Sequence, residues 1–450
     1  MKTIVGKLTY VLLFVIFAPC IAYGQNAYFS KQQVLEDVTY LQEVLTDKHP
    51  NIHIYTSKDT FSAFFENLII DERLTAQEAY RLIATSNLVI QDGHTLYYPS
   101  KKWREDSYTK GSFIPFQPFW DGSKWYVAHN YRASDELKEG MQILAINGIK
   151  SEEIIQDMLG KMMRDGNNDQ YPIWVLNAYF YEYYSYFYGF SDIYEVKVDD
   201  GMDEKTLILQ GMAKSDLLQI IQNQQEGKGI TLHVDQANST GVLTIKSWNP
   251  LLIKKYHRQR LMSALKKAVN QIERANIQNL IIDVRNNQGG ETKYARYLLS
   301  YLLSEPFVLV EQYYKKQKGT VVSCRGPQQG VHQPMGNTFK GNVYVLINGG
   351  SFSNTGIFCS VLRKYKRAIF IGEETGGSEF VICGHTKDFI LPQTGIQVIV
   401  PRLQFRIKSQ GEGAYHGVIP DYFIQPDIDD ILNHTDKDLT FALKLIQRRK

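Results

Sequence analysis

The sequence predicts a mixed α/β fold, and three patterns carry that expectation. Apolar runs at 241–245 and 280–284 alternate with helical periodicity over 252–273 and 292–303, the order that arises when parallel strands are joined by helical crossovers. Residues 113–212 show short alternating segments punctuated by turns such as Asp121-Gly122 and Asp199-Asp200-Gly201. Before them, Val34, Val38, Leu41 and Leu45 recur at helical spacing behind a Ser30 cap, and Thr75 opens a second run through Ala79, Leu82 and Ile83.

Taken in order, residues 25–108 read as a helical N-terminal segment, 109–212 as a strand-rich module with a helical insertion, and 213–450 as an α/β domain. In the middle module 124–128, 140–146 and 194–198 read as strands. The stretch 174–190 is helical in period and holds Tyr179, Tyr181, Tyr183, Tyr184, Tyr186 and Tyr188. An amphipathic helix packed on the strand layer outweighs an aromatic platform for a ligand there. The later strands of the α/β domain are expected at 343–347, 368–371 and 397–400.

Composition narrows the function classes. The 450 residues are 44% hydrophobic and 22% charged, ample for large cores and without the bias of disordered chains. Fifty Lys and Arg against 47 Asp and Glu leave +3, too little for a protein that binds nucleic acid by neutralising phosphates. Four cysteines exclude a disulfide scaffold, and no Cys-x-x-Cys or Cys/His cluster suggests zinc. At the N-terminus Lys2 and Lys7 precede an apolar run at 8–18, and Ala22-Tyr23-Gly24 forms a small-x-small cleavage signal, so 1–24 reads as a secretory signal peptide. Cys20 does not read as a lipidation site, because Pro19 stands where a small residue is required. No later stretch reaches the ~20 apolar residues of a membrane span. The expected location is therefore the periplasm, cell envelope or exterior. Cys324, Cys359 and Cys383 then remain, so at least one thiol is unpaired within a monomer.

The most informative stretch is Val343-Tyr344-Val345-Leu346-Ile347-Asn348-Gly349-Gly350-Ser351-Phe352-Ser353-Asn354. A buried strand entering a Gly-Gly turn and then a helix lifts one small nucleophilic side chain to the strand's carboxyl end, beside free helix N–H groups. The plain alternative makes Ser351 and Ser353 N-caps. A second turn of the same kind, Asp283-Val284-Arg285-Asn286-Asn287-Gln288-Gly289-Gly290, supplies what would be the other half of an oxyanion hole. Asp283 and Arg285 read as an ion pair pinning that turn.

These two turns, with Ile371-Gly372-Glu373-Glu374-Thr375-Gly376-Gly377, Gln91-Asp92-Gly93-His94-Thr95, residues 137–148 and Gly417-Val418-Ile419-Pro420-Asp421, resemble the tail-specific or C-terminal-processing serine peptidases, a family that includes tricorn protease. The resemblance covers nearly the whole chain after residue 24. It implies a crotonase/ClpP-like α/β catalytic domain with a PDZ-like module at 109–212 and no metal or organic cofactor.

Carried onto this sequence, the family pattern makes Ser353 the nucleophile and draws the oxyanion hole from Asn354 and from Gly289 or Gly290. The Ser-Lys branch would place its lysine at 378, which is serine here, and Lys364, Lys366 and Lys387 are off the motif position. The resemblance therefore points to the tricorn-like Ser-His-Glu branch, with His94 as general base and Glu412 as its orienting carboxylate; Asp92 is a rival orienter. Gly93 replaces the serine that branch often carries before its histidine. Cys359 and Cys383 read as small buried hydrophobes. The implied activity is that of an exported serine endopeptidase acting on peptide or unfolded protein. A catalytically silent peptide- or ligand-binding protein on the same fold is the alternative, and an esterase the third reading.

Overall fold

A computed structural model of the protein describes residues 27–132, 136–224, 227–407 and 416–448. The signal-peptide reading of 1–24 and the candidate Glu412 lie outside the described residues. Six strands form the central sheet in the order Ile230–Asp235, Thr240–Ile245, Asn279–Asp283, Asn342–Ile347, Ile369–Gly372 and Tyr422–Phe423. The first pair is antiparallel and the remaining four contacts are parallel. The inner strands are apolar through their centres, with Leu280, Ile281, Ile282, Val345 and Leu346 all buried, as a sheet covered on both faces requires. Helices Leu261–Ala275, Thr292–Leu302 and Asn354–Lys364 pack into one face's core, and the C-terminal helix Lys437–Arg448 covers the other through Ala442 and Ile446.

The helical run over 252–273 divides into Pro250–His257 and Leu261–Ala275. Asn249 caps the first helix through Leu251 N at 2.9 Å, with Pro250 in its first turn. Arg258, at φ 52°, ends it in the left-handed region, a break that apolar periodicity does not register.

A second, antiparallel sheet runs Glu204–Gln210, Ile193–Asp199, Gln142–Ile146, Trp125–Asn130, Phe116–Trp120. The helix Gln170–Tyr188 lies against it and buries Tyr171, Tyr181, Tyr184 and Tyr186, so four of its seven tyrosines are packing residues. Their core is continuous with that of the N-terminal helices, and Phe352 from the α/β domain belongs to it. Among the described residues no helix is long and apolar enough to cross a membrane.

The expectation for 397–400 needs correction. Gln397–Val400 is a strand, but it lies outside the central sheet, between Lys387–Ile390 and the N-terminal strand Leu96–Tyr98. Val398 and Val400 are buried in the core of the N-terminal region. Its apolar alternation specifies a strand and leaves the partner open. The pairing matters because Leu96–Tyr98 begins two residues after His94.

Candidate active site

The two Gly-Gly turns are bound together at the carboxyl ends of adjacent parallel strands. Asn348 Oδ1 accepts from Asn286 N at 2.9 Å and Gly350 N at 3.1 Å, and Asn348 Nδ2 donates to Asn286 Oδ1 at 2.9 Å. Ser351 is fully buried and donates its hydroxyl to Val284 O at 2.9 Å, which gives it a structural role. Asp283 and Arg285 pin the turn as expected, and Arg285 also binds Asp436 and Asp438 on the C-terminal segment at 2.8 and 2.9 Å.

Ser353 sits at the N-cap position of Asn354–Lys364 but makes no capping bond. Its backbone is at φ 56° and ψ −122°, a conformation costing about 1–3 kcal/mol for a non-glycine residue and one that persists when surrounding contacts impose it. The strained turn aims the hydroxyl at His94, whose Nε2 lies 3.0 Å from Ser353 Oγ. The N-cap alternative for Ser353 is thereby excluded.

His94 comes from a different core, and four contacts hold it. Strand Leu96–Tyr98 pairs with Gln397–Val400 immediately after it. Its backbone N–H donates to Asp92 Oδ1 at 2.9 Å, and Thr95 Oγ1 donates to the same oxygen at 3.2 Å. Its ring stacks on Phe352, with centroids 4.8 Å apart and 25° between planes. Phe352 stacks in turn on Tyr171 at 3.9 Å and 9°, so the ring is clamped from both sides. Burial lowers the His94 pKa below the usual 6.5, and the Asp92 charge opposes that shift. The imidazole is consequently neutral at pH 7, the form able to take a proton.

Asp92 does not orient the imidazole through the ring. One oxygen holds the backbone of the histidine loop, and the other lies 3.4 Å from His49 Nε2, both side chains being buried. His94 Nδ1 is enclosed and has no hydrogen-bond partner among the described residues. Ile407 N donates to Phe380 O at 2.8 Å and Glu379 N donates to His416 O at 2.9 Å, so both flanks of the segment containing Glu412 are tied down beside residues 379–380.

Two backbone amides that line the cleft have no acceptor among the described residues. Gly289 N donates to Asn287 Oδ1 at 3.0 Å, which withdraws it from the expected oxyanion set. Among the described residues the amides of Gly290 and Asn354 have no acceptor. Both residues line a cleft of about 550 Å³ with His94 and Ser353. Gly290 is at φ 140°, and a Cβ there would stand 2.3 Å from the Trp248 carbonyl carbon, so only glycine presents an amide at this point.

Position 378, where the resemblance looks for lysine, is a buried structural serine. Its N–H donates to Asp165 Oδ2 at 3.2 Å and its Oγ accepts from Phe380 N at 3.2 Å. Lys364 is paired with Glu311 at 2.8 Å, Lys387 faces another groove, and Lys293, which does line the cleft, is paired with Glu291. Lys293 is the one lysine that lines the cleft among the described residues. Cys324, Cys359 and Cys383 are all free; Cys359 and Cys383 are buried.

Sequence reasoning missed Phe352, Tyr171 and Asp165. Asp165 is buried, accepts from Gly93 N at 2.8 Å as well as from Ser378, and is pushed up to about 7 by burial and by the Asp92 charge. In the sequence it stands in an ordinary Asp-Gly turn, which carries no such signal. The structure also accounts for Gly93. A Cβ at 93 would lie 2.7 Å from Phe352 Cζ and 3.0 Å from Asp165 Oδ1, and the clamped Phe352 ring cannot yield. Gly93→Ala is expected to cost about 1–3 kcal/mol by overpacking, and, because a 1 Å displacement of a reacting group costs about 100-fold, to lower turnover by roughly that factor. Thermal melts and kcat on one preparation check this; unchanged kcat would show that the stack does not position His94.

Residues 239–424, which hold Ser353, Gly290 and Asn354, match the model of Peptidase family S41. The likeness to that family covers 186 of the 450 residues. His94 lies outside the matched span and reaches it through the strand pairing described above. The chain is 28% identical over 176 residues to the tail-specific protease of Haemophilus influenzae, a match covering 38% of this chain and 24% of the relative. The chain thus spans about a quarter of that curated relative. Among solved structures, mature CPAF superposes with a TM-score of 0.67 at 14% identity, covering 93% of this chain and 98% of that one. CPAF complexed with lactacystin gives 0.64 at 14% identity, covering 93% and 99%. At this identity the likeness speaks for the fold, which therefore extends over nearly the whole chain and includes the region that carries His94.

Proposed function

We propose that this protein is an exported serine endopeptidase that cleaves peptide bonds through an acyl-enzyme on Ser353. The observation that carries the reading is the 3.0 Å contact between His94 Nε2 and a serine hydroxyl presented on a strained turn. In the proposed reaction His94 Nε2 takes the proton as Ser353 Oγ attacks the carbonyl carbon. The tetrahedral oxyanion receives the N–H groups of Gly290 and Asn354. The imidazolium then protonates the leaving amine, and water, activated by the same nitrogen, releases the acid product. Glu412 is proposed as the carboxylate that meets His94 Nδ1, since that nitrogen has no partner among the described residues and Asp92 is committed to the loop backbone and His49. Export is supported by the pattern of 1–24.

The test is a fluorophosphonate probe read by intact mass. One adduct on wild type, absent from Ser353→Ala, is expected; no adduct on folded protein would favour the silent-binding alternative. The pH dependence of the labelling rate adds a signed prediction. Only neutral imidazole accepts the serine proton, so the rate falls as pH drops through the His94 pKa. Because burial lowers that pKa, the midpoint is expected below 6.5, with a plateau from neutral pH upward. A rate independent of pH between 5 and 8 would remove His94 from the base role.

A further inference from the structure

We infer that the substrate is acidic to one side of the scissile bond, because the catalytic cleft opens into a groove lined with cations that make no ion pair among the described residues. This rests on the peptidase reading above and adds a substrate class to it. One wall of the cleft is the strand Val381–Gly384, which pairs with Leu403–Arg406 on one side and is the last strand of its four-stranded sheet. Its free edge can take an extended peptide by main-chain pairing. Beyond its end, His385 and Thr386 line both the catalytic cleft and a second groove of about 640 Å³. A peptide following the strand out of the cleft passes these two residues and enters that groove.

The second groove gathers Lys48, Lys315, Lys316, Lys318, Lys387 and Arg402 from four separate parts of the chain, against the single carboxylate of Asp47. None of the six is in an ion pair among the described residues, and they share one concavity. A solvated structural face would intersperse both signs. The whole chain carries only +3, so this is a local concentration of charge. Its field is felt nearby: His53, lowered first by burial, is lowered further by Lys316. Like charges drawn together in a concavity repel one another, and an anionic occupant relieves that repulsion while being steered into the cleft. A peptide is favoured over a polynucleotide because the groove continues the cleft that holds Ser353.

Binding is measured on the full-length Ser353→Ala protein by fluorescence anisotropy at low ionic strength, so that the result does not depend on turnover. The probes are a labelled peptide with an alanine-leucine core, its two isomers with a glutamate block at either end, and the version with a lysine block. One glutamate isomer is expected to bind about tenfold tighter than the neutral peptide, with the preference fading as salt is raised. Lys315→Glu with Lys316→Glu should abolish it, Lys315→Gln with Lys316→Gln should halve it or more, and Lys266→Glu with Lys267→Glu on the helix Leu261–Ala275 should leave it intact. Equal affinity for the glutamate, neutral and lysine peptides would overturn the inference, as would equal loss in the Lys266/Lys267 control. Tighter binding of a single-stranded oligonucleotide than of the glutamate peptide would overturn it in favour of nucleic acid. Fluorophosphonate labelling of wild type tests the peptidase reading separately, so the two can fail independently.

Discussion

Ser353→Ala is expected to lower peptide hydrolysis by about 10⁴-fold or more while leaving substrate affinity and the melting temperature nearly unchanged. The hydroxyl contributes one contact, to His94 Nε2 at 3.0 Å, and does not cap its helix, so its removal takes away the nucleophile and little structure. His94→Ala should fall by a similar factor, and the double variant should be scarcely worse than either single one, because nucleophile and base act as a unit. The residual rate would come from the Gly290 and Asn354 amides and from substrate positioning. Single-turnover kinetics on the three variants would decide it. Additive losses would mean that the two residues work independently and that the 3.0 Å contact has no catalytic meaning.

Arg285→Ala carries the largest expected cost in stability, about 3 kcal/mol or more. Its guanidinium donates to Asp283, Asp436 and Asp438 and is only 19% exposed. Removing it leaves three carboxylates facing one another, two of them largely buried, at 17% and 10% exposure for Asp283 and Asp438. The contribution of the more open Asp436 is discounted for solvent screening. Arg285→Lys should recover only part of the loss, since an ammonium cannot reproduce the planar fork that spans these oxygens. Urea unfolding of the three proteins provides the measurement, and a loss under about 1 kcal/mol for the alanine variant would show that the network is solvated. Because the turn to Gly290 begins at Asn286, the alanine variant should also lose activity beyond what its stability explains.

Much of the catalytic half was legible in the sequence because its signals are local. Strand-to-turn-to-helix geometry follows from apolar β-branched residues, two glycines and a helix start within about fifteen residues, and the placement of a small nucleophilic side chain at the turn follows from that geometry. The choice between Ser351 and Ser353 came from a family resemblance; in the structure the physical reason is that the Ser351 hydroxyl is spent on Val284 O. His94 could be named but not justified from its neighbours. A histidine in Asp92-Gly93-His94-Thr95 has no local pattern that tells a base from a turn residue.

What the sequence by itself determined was a subset of the strands and helices, the two Gly-Gly turns and the residue types able to do acyl-transfer chemistry, since periodicity and turn preference act over a few residues. Tertiary structure decided which of them meet. The contact between His94 and Ser353 spans 259 positions and depends on Leu96–Tyr98 pairing with Gln397–Val400 and on the Phe352 ring held between His94 and Tyr171. A period-two apolar pattern states that a segment is a strand and which face is buried, but it leaves its neighbour open. The same limit explains the committed Gly289 amide and the shared basic groove, because hydrogen-bond partners and the summed field of distant cations come into being only when the chain is packed.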